Sequence, residues 1–130
     1  MNRGFALVPA LFLIVVLAAL GAAAIRIGNG EQQTVTMALQ QVRALAAARA
    51  GVEWGAYRAL NGSCVASTTL NLSEAALNGF AVAVSCTDTA FANGAATSHA
   101  YLINASASSG TYGQPGYVRR VVSATFTDAS

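Results

Sequence analysis

Charge is the scarcest commodity in this chain. Only 9% of its 130 residues are charged, against about 25% in an ordinary soluble domain. Lysine is absent, and every basic residue is an arginine. A net charge of +2, with no basic cluster beyond Arg119-Arg120, excludes a surface that tracks nucleic-acid phosphates. The Arg119-Arg120 pair reads as a solvated strand edge. His99 is the only histidine, and the two cysteines form no CxxC, so the donors for a zinc site are missing. Serine is plentiful, yet no GxSxG elbow or comparable setting accompanies it, and a lone histidine in a strand reads as structural. No catalytic residue, metal or other cofactor is expected. No internal repeat is visible.

What the chain does have is a long apolar run. Phe5 to Ile25 contains no charged or amide side chain. As a helix rising 1.5 Å per residue, it would be about 30 Å long, enough to cross a bilayer. Few helices of a small soluble domain are apolar on every side, which argues against a buried core helix. A signal peptide cut after Ala24, at Ala22-Ala23-Ala24, would release a secreted binding module beginning at Ile25, with Tyr101–Tyr117 as its adhesive region. Against this, the run of roughly 20 residues exceeds the usual h-region of about 7–15.

A short basic leader ending in Gly4, then Phe5 and an unbroken apolar helix, resembles the class III leader of type IV pilins and pseudopilins. The resemblance implies that a prepilin peptidase cuts between Gly4 and Phe5 and methylates the new terminus. Residues 1–4 are then the leader, 5–27 a retained transmembrane helix, 28–60 an extramembrane helix after a glycine-rich break, and 61–130 a small β domain. Major subunits of the family carry glutamate at the fifth mature position, which here is Pro9. A carboxylate in hydrocarbon is kept for a purpose, in pilins for pairing with the terminal amine of the preceding subunit. A subunit without it suits the filament tip, which has no predecessor. The segments RGFALVPALFLIVVLAALGAA, ARAGVEWGAYRAL, NGSC, AVAVSC and QPGYVRR are similar to the MshP group of minor-pilin-like MSHA biogenesis proteins.

The implied function is that of a minor, non-enzymatic pilin that starts or caps a type IV filament. Its partners would be other major and minor pilins, the peptidase and the bacterial inner membrane, crossed once with the C-terminal domain in the periplasm before entry into the pilus fibre. A minor pseudopilin of a type II secretion system is the nearest alternative. Arg3 favours a cytoplasmic leader, and Arg26 opposes that preference. Cys64 and Cys86, outside the predicted span, are expected to form a disulfide in an oxidising periplasm.

Beyond the span, Ile27-Gly28-Asn29-Gly30 interrupts the helical pattern, as a loop or as a helix able to melt. No lysine or preceding strand makes it a phosphate loop. From Glu31 to Leu60, the apolar residues Val35, Ala38, Leu39, Val42, Leu45, Ala46, Val52, Ala56 and Leu60 recur every three or four positions. That face is expected to lie on a sheet, with Arg49 and Glu53 paired at its rim. On the opposite side, Ala44, Ala47, Ala48, Gly51 and Gly55 form a small-residue stripe of the kind that admits another helix. It is expected to be the interface for a neighbouring subunit, with Trp54 and Tyr57 flanking it.

Asn61-Gly62, Asn78-Gly79 and Asn93-Gly94 are turn signals. Strands are predicted at Ser67–Leu72, Phe80–Cys86, His99–Ser106 and Tyr117–Thr127, with a turn or helical turn at Ser73–Asn78. Arg120 shares a face with Val118, Val122, Ala124 and Phe126 and is placed near an edge. The expected fold is α+β, a long helix against three or four antiparallel strands. Three glycosylation sequons, at Asn61, Asn71 and Asn104, read as coincidences after a bacterial-type leader.

Overall fold

The computed structural model describes residues 4–129. Met1, Asn2 and Arg3, three of the four residues assigned to the leader, lie outside the described residues. A single helix, α1, runs from Leu7 to Leu60. Four strands follow: β1 (Thr68–Leu72), β2 (Phe80–Asn93), β3 (Ala96–Ser109) and β4 (Val118–Thr127). They form one antiparallel sheet in the order β1-β2-β3-β4. The class is α+β, with the helix packed on the sheet.

Helix α1 does not break at Gly28-Asn29-Gly30. Two glycines cost about 2 kcal/mol of helix propensity, which the surrounding turns absorb. Just beyond them, Thr34 and Thr36 donate side-chain hydrogen bonds to the carbonyls of Gly30 (3.0 Å) and Gln32 (2.9 Å). The loop alternative is therefore replaced by continuous helix. Pro9 costs no helical bond. It stands at the third helical position, where a backbone N–H has no partner in any case, and the Ala10 N–H is the one that reaches the Ala6 carbonyl, at 3.3 Å.

The helix stops where Asn61-Gly62 directs. Gly62 takes φ of +83°, the left-handed conformation a side chain would oppose. Its N–H bonds the Ala59 carbonyl at 3.0 Å, and the Ser63 N–H bonds that of Arg58 at 2.8 Å. These two bonds form a Schellman closure, and the Asn61 side-chain amide adds a third to the Tyr57 carbonyl. At Asn93-Gly94 the chain reverses through a two-residue turn between β2 and β3, with Gly94 at φ +62° and Ala95 at negative φ. That is the type II′ geometry whose twist suits a hairpin.

On the inner face of the sheet lie Leu70 and Leu72 of β1, Phe80, Val82 and Val84 of β2, Tyr101, Ile103, Ala105 and Ala107 of β3, and Val118 of β4. Val82 and Ile103 are the largest wholly buried side chains. Arg120 lies on β4, an edge strand, and is exposed. Arg49 and Glu53 do not pair; the only ion pair among the described residues joins His99 to Asp88.

Candidate functional site

Gly4, Phe5 and Ala6, around the expected processing junction, form an exposed turn ahead of α1. The first part of α1 is long and apolar enough to cross a membrane, and its most apolar 18-residue window is 0% buried. Pro9 sits within this segment, and no carboxylate accompanies it before Glu31.

On the C-terminal part of α1, the small-residue face lies opposite to the sequence expectation. Ala44, Ala47, Ala48, Gly51 and Gly55, expected to meet another subunit, are buried against the chain's own sheet. A Cβ placed on Gly51 would lie 2.6 Å from Val82 Cγ1 and 3.1 Å from Ala105 Cβ. On Gly55 it would lie 2.9 Å from Ile103 Cγ2 and 3.0 Å from Val84 Cγ1. The physical reason is volume. The sheet supplies the bulk through Val82, Val84 and Ile103, and a close-packed interior then has room only for small residues on the helix.

The face expected to bind the sheet splits. Val52 and Ala56 are buried, but Leu39 is 58% and Val42 64% exposed, and Val35, Ala46 and Leu60 are exposed as well. Leu39 and Val42 belong to the same compact unit as the sheet, yet nothing in it covers them. Trp54 packs at the margin of the core with the Arg58 guanidinium 5.3 Å from its ring centre, while Tyr57 is exposed.

Cys64 and Cys86 are joined by a disulfide, which ties the segment after α1 to β2. Beside it, the Cys86 N–H donates to the Val65 carbonyl at 3.1 Å. Arg43, on α1, donates through Nε to the Ala76 carbonyl and lies over the Phe80 ring, fixing the β1–β2 connection to the helix.

A small polar cluster went unread in the sequence. His99 Nδ1 lies 2.8 and 3.0 Å from the two carboxylate oxygens of Asp88, diagonally across the β2–β3 ladder. The His99 backbone N–H donates to the Asp128 carboxylate at 2.6 Å, and the Asp128 N–H returns a bond to the His99 carbonyl at 3.2 Å. The hydrogen bond to Asp88 holds the imidazole pKa above its ordinary value. Tyr101, whose ring stacks near the imidazole, is pushed up by burial and then by the carboxylates of Asp128 and Asp88. The cluster joins two strands and clips the end of β4. Among the described residues no group of three or more His, Cys, Asp or Glu is placed to hold a metal.

Comparison with known proteins adds no family: no protein-family model, no curated protein and no solved structure matches this chain.

Proposed function

We propose that this protein is a minor pilin-like structural subunit of an MSHA-type type IV pilus, acting in the initiation or at the tip of filament assembly. The single observation that carries this reading is α1. One continuous helix begins just after the Gly4-Phe5 junction, has a membrane-length apolar segment, and ends clamped onto an antiparallel sheet. A leader of this kind ahead of a helix that also helps build the domain core has a use only if the helix is retained after processing.

Burial of the small-residue stripe changes how such a subunit would bind its partners. Its small-residue stripe is spent on the sheet, so the contact with other pilins falls to the exposed apolar side chains Leu39 and Val42. In water, these residues have no compensating contact; burial against a neighbouring helix would remove their apolar surface from solvent at about 25 cal/mol per Å². Residues 1–4 would be removed by the prepilin peptidase, leaving one inner-membrane crossing and a periplasmic domain stapled by the Cys64–Cys86 disulfide.

The deciding measurement is the intact mass of the protein purified from its native membrane. A chain beginning at methylated Phe5 supports the pilin reading, and one beginning at Ile25 replaces it with a secreted module. Assignment to a pilus, as against a type II secretion system, is tested by recovery in sheared filaments, where a pseudopilin would be absent.

A further inference from the structure

The outer face of the sheet, turned away from α1, is rich in alanine, serine, threonine and asparagine, with Phe91, Leu102 and Val121 its large apolar residues. Arg119 is its one charge. The residues Ser67, Ser85, Asn104, Ser106, Arg119 and Val121 line a shallow depression there. We propose that this depression is a carboxylate-binding site, anchored by the Arg119 guanidinium.

Three features point to that ligand chemistry. Arg119 Nε donates to Ser106 Oγ at 2.8 Å, which orients the guanidinium plane, while among the described residues neither Nη has a protein partner. Asn104 Oδ1 accepts a hydrogen bond from Ser123 Oγ, and among the described residues its Nδ2 has no protein partner. No acidic side chain among the described residues shares the face, so no carboxylate of the sheet competes for these donors. A group that offers only acceptors and one negative charge completes this set. Two Nη groups side by side match the two oxygens of a planar carboxylate, and one guanidinium neutralises one such charge. Phosphate, carrying between one and two charges near neutrality, would be left partly uncompensated, and its tetrahedral oxygens match the planar fork less well than a carboxylate. Arg120 follows immediately but points to the other face, without the surrounding amide and hydroxyl groups. It is an internal control.

The test uses the full-length ¹⁵N-labelled protein in detergent micelles, where all arginines can be followed through their Nε–Hε resonances. Acetate is titrated first, followed by acetyl-triglycine, its C-terminal amide and inorganic phosphate. The expected result is a saturable shift at Arg119 Nε–Hε and the Asn104 side-chain amide, with no saturation at Arg120. Arg119→Gln should abolish it, and Asn104→Ala should weaken binding about three- to tenfold, as loss of one hydrogen bond implies. Both substitutions are on the outer face and should leave the inner-face resonances unchanged. Tighter binding of the peptide acid than of acetate would assign the carboxylate to a chain end, and equal affinities to a free small molecule; either upholds the site. Matching, non-saturating responses at Arg119 and Arg120 would overturn the proposal. So would unchanged affinity in Asn104→Ala, equal binding of the peptide amide, or a preference for phosphate.

Discussion

Replacing Gly51 is the sharpest probe of how α1 meets the sheet. Two effects oppose each other in Gly51→Ala. Alanine is the better helix former by about 1 kcal/mol. Its methyl group, however, would arrive 2.6 Å from Val82 Cγ1, with Ala105 Cβ at 3.1 Å and Val84 Cγ2 at 3.3 Å closing the other sides. Val82 and Ala105 are wholly buried, so neither can swing into solvent. Overpacking of this kind costs about 1–3 kcal/mol, and the net expectation is a loss of up to about 2 kcal/mol. For a domain of this size each kcal/mol lowers Tm by about 4–8 °C. Gly51→Leu adds three more carbons in the same place and should lift the helix from Val82 and Ala105. Its cost should exceed about 3 kcal/mol, a large share of the roughly 5–15 kcal/mol that holds a domain together. The assay is thermal melting of the full-length protein in detergent, followed by the near-ultraviolet circular dichroism of Trp54 and the tyrosines. Gly28→Ala is the control, because a Cβ there meets nothing within 4 Å. A Gly51→Leu protein that melts with or above the wild type would refute the packing argument and return the stripe to intermolecular duty.

Leu39→Ala and Val42→Ala, both at exposed positions, should change stability by no more than about 0.5 kcal/mol, yet, under the proposed function, reduce co-purification of partner proteins; loss of the fold without loss of partners would contradict the assignment. Reduction of Cys64–Cys86, which closes a loop of 22 residues' separation, should cost about 3 kcal/mol in the chain-entropy model, read as a lower Tm in reductant. The His99–Asp88 pair stabilises the fold through a histidine pKa raised on folding, so its contribution is complete below the unfolded value of 6.5 and disappears as pH rises through the folded value. Melting temperatures of wild type and His99→Gln should therefore converge on the alkaline side and diverge below; a constant gap would remove the pair as the cause.

Much of the architecture was legible because local signals were strong. Asn61-Gly62 ended the helix, and the alternation of Phe80, Val82, Val84 and Cys86 identified the core of β2. The hairpin end of β2, from Thr87 to Asn93, and the first three residues of β3, Ala96 to Ser98, are not legible. Thr87 to Asn93 show no apolar alternation, and that end of the hairpin is held chiefly by its ladder and turn. The small-residue face of α1 was not legible for a different reason. Bulky residues alone do not mark a core, because an interface is filled by the sum of both sides, and here Val82, Val84 and Ile103 leave the helix almost nothing to add. The Asp88–His99 pair depends on a diagonal across a particular register, which composition does not encode.

The strand order has a kinetic consequence. In β1-β2-β3-β4 every strand pairs only with its neighbours along the chain, and β2 and β3 are joined by two residues. Each hairpin can therefore close as soon as its own residues are available, with little loop entropy to overcome. The remaining long-distance event is the docking of the helix onto β2 and β3, followed by closure of the disulfide across that seam. Folding of this protein should then be limited by helix docking and cysteine oxidation, and a chain stalled before them would be a formed meander with its inner face still open to water.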